Sequence, residues 1–433
     1  MNETKPLPPA PLPAPSPMAG PNEPVEWLFA YKFNAGSFPG YLDADYQKQE
    51  GTAGQPGRFG GTTKPYPHGM SQNYVFATSN DPTLKRGAGA LGNSEVDPLS
   101  ATFAQVYNTN GYHYVLWNDQ FYNNPMETQG APFGHAKGMA AWNDEGEGFV
   151  LQVSTPSWPA SGHFSISRNA LHASKPDSNT LGCVNDDDIQ VAQHFFCLKV
   201  TKADLVQVLD GLYNASAVTN TRIPALCQNG GPADVQAAVA KLGTVVESAE
   251  LKSFTLSTGI QFISKPSYLH VPPWQLVSAH LDALDLRVAS WWASPAIYST
   301  PAGAVPGCWG PNLGTPGAVE IALTGSWKGV EFSVIGGVFE HSNHAKLGIS
   351  KDPKRPITIY GDENQQGALR VGYDKTGYYA DHTQQCDSSQ NGRGGTFYVL
   401  ENQYMWQSLT ELLAGKSAGD SPATTDLKGI GTN

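Results

Sequence analysis

Two tripeptides carry the residue types needed for phosphoryl chemistry, His135-Ala136-Lys137 and His344-Ala345-Lys346. On an extended strand, residues two apart point to one face. Each tripeptide therefore presents an imidazole beside an ammonium. A neutral imidazole is a nucleophile or base, a protonated one is an acid, and a fixed ammonium stabilises developing negative charge. Two such pairs facing one phosphorus suffice to cleave a phosphodiester. One His attacks in line, the opposite His protonates the leaving oxygen, and the two Lys hold the non-bridging oxygens. Water then hydrolyses the phosphohistidine, with the second His as base. The scheme calls for no metal and no cofactor.

A lone His-x-Lys is what a solvated strand face produces by chance. Here the sequel is repeated as well. Gly134 to Gly138 opens a predicted strand over Lys137 to Trp142, a turn over Asn143 to Gly148, and a return strand ending at Ser154. Asn343 to Gly348 opens a second predicted strand, a turn over Lys351 to Pro356, the strand Ile357 to Tyr360, and then Gly361-Asp362-Glu363-Asn364. The spacing from His135 to Ser154 and from His344 to Asp362 differs by one residue. Each return strand brings polar groups back beside its own dyad: Ser154 in one copy, Asp362 and Asn364 in the other. These are the expected supporting, phosphate-orienting residues.

The elements that must position these groups are mostly strands. Aromatic or alternating runs predict strands over Val25 to Phe33, Tyr112 to Asp119, Thr255 to Ser264, Arg287 to Ala293, Val319 to Thr324 and Val330 to Val338. Helical spacing is confined to Ala203 to Tyr213, capped by Thr201, and to Ala233 to Leu242 and Tyr404 to Leu413. The Pro-rich opening, residues 1–23, reads as a disordered leader. A first half then spans 24–250 with the first motif, a second half 251–415 with the second, and 416–433 is a flexible tail.

Only 15% of the residues are charged, while 46 Gly and 33 Pro punctuate many short elements. The formal net charge is −11, which does not fit a polyanion-binding surface. Protonating the 11 His would bring it to about zero, so an anionic substrate is better tolerated in acid. The five cysteines form no Cys-x-x-Cys pair, which argues against structural zinc; Cys183 and Cys197 are close enough to close a loop under oxidising conditions. No apolar run reaches the length of a membrane span, and the compartment is not readable. Trp291-Trp292 reads as core packing, and Lys351, Lys354 and Arg355 as a basic turn within reach of backbone phosphates.

The doubled motif resembles the phospholipase D superfamily, and within it the deoxyribonuclease II family. Further stretches are similar to that family: Pro24 to Trp27 with Tyr31-Lys32, Tyr114 to Gln120, Ser253 to Tyr268, Gly361 to Asn364, and Asn391 to Thr396 with its Arg393-Gly394-Gly395. The superfamily's Asp five residues after the Lys is missing, those positions being Trp142 and Lys351, as in the narrower family. Ala368 to Gln390 looks like an insertion. The resemblance implies an α+β, phospholipase D-like fold of two pseudo-symmetric halves, each a mixed sheet flanked by helices, with the active site between them. It implies His135, Lys137, His344 and Lys346 as the catalytic set. It further implies metal-independent acid cleavage of double-stranded DNA, 3′-phosphate ends and a homodimer around the duplex. The alternatives are a phospholipase D-type phosphodiesterase on a lipid or small diester, or a catalytically silent DNA-binding module.

Overall fold

The computed structural model describes residues 11–34, 36–37, 73–88, 91, 97–107, 111–121, 126–156, 191–224, 226–291, 297–305, 309–337, 341–365, 371–374, 377–380 and 390–419, and structural statements below concern these. Two large sheets dominate a mixed α+β fold. The first sheet takes β1 (Trp27–Lys32), β2 (Tyr74–Thr78), β3 (Asp81–Arg86), β4 (His113–Asn118), β5 (Lys137–Trp142), β6 (Gly148–Val153), β7 (Gln193–Val200) and β8 (Cys227–Gln228). The second takes β9 (Lys252–Thr255), β10 (Gln261–Lys265), β11 (Leu286–Ala289) and β12 (Val319–Ile321). A ribbon of β13 (Thr324–Trp327) and β14 (Val330–Ser333) intervenes before β15 (Lys346–Ser350) and β16 (Ile357–Gly361) rejoin the second sheet. A second ribbon, β17 (Val371–Asp374) with β18 (Gly377–Ala380), lies inside the insertion-like stretch, and β19 (Gly395–Glu401) completes the sheet.

The spatial orders are β3-β2-β1-β7-β6-β5-β4-β8 and β12-β11-β15-β16-β19-β10-β9. Counted from the β8 end of the first sheet and the β12 end of the second, β5 and β15 are both third and β6 and β16 both fourth. Register follows suit. Gly138 pairs with Gln152 across β5 and β6, and Lys346 with Gly361 across β15 and β16. Asn118 of β4 stands opposite Lys137, while Ala289 of β11 stands opposite Leu347. Asp119 follows Asn118 by one position, and Trp291 follows Ala289 by two.

Each sheet is covered on both faces. Helix Pro98–Tyr107 belongs to the core on one face of the first sheet, and helix Pro273–His280 to that on one face of the second. Between the sheets lies a shared core that also takes in helices Lys202–Asn214 and Gln403–Leu412. At its seam Phe196 stacks on Tyr360 at 4.2 Å between ring centroids, and Phe29 meets the same ring at 5.0 Å. Aromatic pairs of this kind add about 0.5–1.5 kcal/mol each beyond the area they bury. Burial on both faces explains why β5 and β15 show no alternation: every residue in them is buried.

Local chemistry accounts for the turns and caps. Asn143 Oδ1 accepts from the amides of Glu145 and Glu147, and Gly146 turns at φ 82°, closing the first dyad's hairpin. Thr201 and Asp204 form a reciprocal capping box on helix Lys202–Asn214, and Asn402 caps Gln403–Leu412. Two helices escaped the periodicity reading, although Asp97 caps Pro98–Tyr107 and Pro273 opens the other. The single strand expected over Thr255 to Ser264 is instead the β9–β10 hairpin, turned at Gly259 with φ 80°.

The leader needs correcting for residues 11–23. Pro13 O accepts from Tyr112 Oη, Ser16 exchanges bonds with Gln105, and Met18 N donates to Thr102, so this proline-rich run docks on helix Pro98–Tyr107. Its fixed φ makes it extended, and its apolar rings give it a surface to bury. The start of the tail is likewise engaged: Ser417 bridges Ala322, and Ala418 N donates to Ile321 O. Cys197 is a free thiol buried in β7, so the expected loop with Cys183 is not formed at that residue; Cys183 and Trp292 lie outside the described residues.

Candidate active site

His135 stands just before β5, where the chain makes a close approach to three other segments. A Cβ on Gly134 would lie 2.3 Å from Ala215 O, and one on Gly394 would lie 2.2 Å from the same oxygen. Only glycine fits at both, and this lets His135 N donate to Gly394 O at 2.7 Å and Arg393 Nη2 donate to Gly134 O at 3.0 Å. The imidazole Nδ1 donates to the main-chain oxygen of Asp362 at 2.6 Å, which directs Nε2 outward. Nε2 lies 3.1 Å from Lys137 Nζ and 3.1 Å from Asn364 Nδ2. Lys137 Nζ is itself 2.5 Å from Asp119 Oδ1, and Asp119 Oδ2 is 2.9 Å from Arg393 Nη2 and 4.0 Å from His135 Nε2.

The second dyad is entered by the same device. His344 N donates to Ala192 O at 2.8 Å, beside the start of β7. The ring hydrogen-bonds the Gly337 carbonyl, and its Nδ1 faces Gln193 Nε2 at 3.5 Å. Trp291 meets it edge to face, with centroids 5.7 Å apart. His344 Nε2 has no hydrogen-bond partner among the described residues.

The supporting residues are present, but crossed. Asp362 and Asn364, expected to serve the second imidazole, bind His135 of the first sheet. Ser154, expected to serve His135, donates to Gln193 Oε1 at 2.5 Å, and Gln193 in turn faces His344. The reason is geometric. A return strand in the same sheet presents its end alongside its own dyad, while the sheet stacked across the core presents its strand ends face on. Asp362 and Ser154 repeat one backbone device: Asp362 Oδ1 accepts from Thr396 N at 2.7 Å, and Ser154 Oγ accepts from His194 N at 2.9 Å.

Asp119 was not singled out from the sequence, although it ends the strand expected over Tyr112 to Asp119. Gln193 and Lys32 were missed as well. Lys32 Nζ, fully buried, donates to Val191 O at 2.6 Å and to Phe33 O at 3.2 Å. The signal for Asp119 and Lys32 was available: a charged residue inside or ending an otherwise apolar strand must find a buried partner. The basic turn, by contrast, lies at the far end of the β15–β16 hairpin, roughly 13 Å or more along the strand from Lys346. There Lys351 pairs with Glu320, and Arg355 Nη1 donates to Leu281 O at 2.9 Å.

The two dyads share one electrostatic field. The Lys346 charge acts on His135, and the Lys137 charge acts on His344 together with Lys346 and Lys32. Burial and these cations hold both imidazoles well below the ordinary histidine value, with Asp119 the opposing influence on His135. Burial alone would raise Asp119, but Arg393, His135 and Lys137 outweigh it and hold the carboxyl below the usual range. Burial pushes Asp362 up to about 7 and Glu363, paired with Lys265 at 2.9 Å, up to about 8. In acid, therefore, Asp119 alone of these three carboxyls stays ionised. The buried cations Lys32, Lys137, Lys265, Lys346 and Arg393 then outnumber the anions. The local field favours a phosphate even though the whole chain is acidic.

No curated protein matches the chain closely enough to register as a relative. The family model of deoxyribonuclease II matches residues 61–372, a span holding both dyads, Asp119, Asp362 and Asn364. With that span covering most of the sequence and enclosing a buried pair of imidazole–ammonium dyads, the chain belongs to the deoxyribonuclease II family, hydrolases that cleave the phosphodiester bonds of DNA.

Proposed function

We propose that the protein is a metal-independent acid endonuclease that works through a phosphohistidine and leaves 3′-phosphate ends. The observation that carries this reading is the crossing of contacts between the sheets: Asp362 and Asn364 bind His135, and Ser154 binds Gln193, which faces His344. On this reading both imidazoles address one phosphorus at that seam. His135, Lys137, His344 and Lys346 perform the chemistry. Asp362 and Asn364 orient His135, and Ser154 acts on His344 through Gln193. Lys137 and Lys346 stabilise the non-bridging oxygens as charge builds, the task a divalent ion performs in other nucleases.

The architecture behind this is a pair of pseudo-symmetric halves, 24–250 and 251–415, with the site between them; the matching strand successions support it. Protonation of Asp362 and Glu363 leaves the site more cationic in acid, which supports the acid preference. Double-stranded DNA as the preferred form, and a homodimer enclosing it, rest on family resemblance.

The test is plasmid nicking in EDTA between pH 4 and 8, beside His135→Ala and His344→Ala. Acid nicking that both substitutions abolish is expected. Turnover of phosphatidylcholine without nicking would point to a lipid diester, and DNA binding without cleavage to a silent module. Activity that vanishes in EDTA and returns with a divalent ion would remove the metal-independent mechanism.

A further inference from the structure

Among the described residues outside the dyads, two lysines are fully buried, Lys32 and Lys265. They hold the same place in the two sheets. Lys32 ends β1 opposite Gln193 of β7, and Lys265 ends β10 opposite Gly395 of β19. Each ammonium reaches the main chain two residues before that partner, where the chain bends into its strand. Lys32 Nζ donates to Val191 O at 2.6 Å, and Lys265 Nζ donates to Arg393 O at 2.5 Å. The next carbonyl along, of Ala192 or of Gly394, accepts from the amide of the histidine that leads into the other sheet: His344 N at 2.8 Å and His135 N at 2.7 Å. From this doubled and crossed linkage we infer that the two lysines are positioning residues, Lys32 for His344 and Lys265 for His135. The inference rests on the two-histidine reading above and says what holds each imidazole in place.

A buried ammonium is costly unless hydrogen bonds surround it, and a buried carbonyl outside a strand ladder needs a donor. At each bend the two needs meet. Lys32 Nζ also donates to Phe33 O at 3.2 Å, and Lys265 Nζ to Asn391 O at 3.0 Å. A peptide unit is planar, so fixing Val191 O fixes the Ala192 N–H of the same plane. That N–H donates to Ser342 O at 2.9 Å. Ala192 therefore holds the second motif at two points, Ser342 and His344. In the other sheet the residue that Lys265 fixes does this with its side chain. Arg393 Nε donates to Phe133 O and its Nη2 to Gly134 O, both at 3.0 Å, just ahead of His135.

The two copies differ in what lies beside the lysine. A Cβ on Gly395 would lie 2.7 Å from Glu363 Cβ, so the missing side chain lets the Glu363 carboxylate reach Lys265 at 2.9 Å. In the first sheet that place belongs to Gln193, whose amide faces His344 Nδ1 at 3.5 Å. The Lys32 charge also acts on His344, together with those of Lys346 and Lys137. Lys32 thus reaches its histidine through the main chain and through its field, and Lys265 reaches His135 through the main chain.

The test reads each histidine separately. Methionine is close to lysine in length and carries neither the charge nor the donors. Protein labelled with ¹⁵N-histidine gives amide and ring signals for each histidine, recorded at pH 5 in EDTA without DNA and assigned with the alanine variants. Lys32→Met should move the amide and ring signals of His344 and leave those of His135. Lys265→Met should do the reverse. On DNA each variant should lose about 10²-fold in kcat, the cost of misplacing a catalytic group by an ångström, with KM little changed. A lowered Tm with unmoved histidine signals would make the lysines supports of the fold alone and overturn the inference. Shifts that stay within one sheet, with Lys32→Met moving His135, would overturn it as well. Where a variant fails to fold, amide exchange in the wild type decides. Slow exchange at both histidine amides supports the linkage, and exchange at the rate of an open loop at either one breaks it. The spectra need no substrate, so a wild type that fails to nick DNA removes the nuclease reading and leaves the positioning one standing.

Discussion

Around His135 the protein has built a polar cage: the Asp362 carbonyl, Asn364, Lys137, and an Asp119 clamped between Lys137 and Arg393. Around His344 the partners differ, with Trp291 on one side, Gln193 facing Nδ1 and cations beyond. Identical tripeptides on equivalent strands thus sit in different hydrogen-bond and charge surroundings. A motif sets which atoms are available. The strand beside it sets the charges and hydrogen bonds those atoms meet, and so how readily each takes up a proton.

The largest test of that contrast is to remove each imidazole. On DNA at pH 5, His135→Ala and His344→Ala should each lower kcat by at least roughly 10²–10⁴-fold, the scale of losing a group that transfers a proton. Single-turnover cleavage of a labelled duplex measures both, and a variant that keeps its rate would remove that imidazole from the chemistry. Next in size are the cations. Lys137→Met and Lys346→Met should each cost about 10²–10³-fold in kcat, the range for one oxyanion donor, with KM little changed. A loss confined to KM would mean they only bind substrate.

Asp119→Asn sharpens the comparison most directly. Where His135 carries the catalytic proton, activity should fall as pH rises through its titration, and Asp119 is the group that favours that proton. Without the carboxylate, that limb of the kcat/KM profile should move down by about one pH unit or more, while Trp291→Phe should leave it in place. A profile that stays put while kcat drops would make Asp119 a purely structural anchor.

The smallest effect concerns stability. Glu363 titrates at about 8 in the fold, above the ordinary glutamate value. Its contribution is therefore complete below about pH 4.3 and lost as pH rises through 8. Glu363→Gln should flatten the fall in Tm between pH 5 and 9, followed by thermal denaturation at each pH. An unchanged slope would place the acid-favouring stability elsewhere.

Much of the molecule was legible because local chemistry writes it. Lys137 to Trp142 was readable as a strand from its residues and its Asn143 turn, and helix Lys202–Asn214 from the Thr201 cap. The β9–β10 turn was missed because Leu256 and Ile260 continue the apolar pattern across it. The docked leader was missed because proline composition reports backbone stiffness, not what the stiff chain lies against. Asp362, Asn364 and Ser154 meet the imidazole of the opposite sheet and not their own, since spacing along a hairpin describes one sheet and the contacts cross between two.

The sequence by itself determined the candidate groups: two imidazoles, each beside an ammonium, on strands that a fixed two-residue period aims to one face. It also determined the hairpins that follow them, because turn and strand preferences act over a few residues. Only the tertiary structure decided that Lys346 acts on His135, that Asp362 orients an imidazole of the opposite sheet, and that Asp119 and Trp291 occupy matching places. Those relations depend on how two sheets stack and register, and packing brings together residues whose order along the chain carries no trace of the meeting.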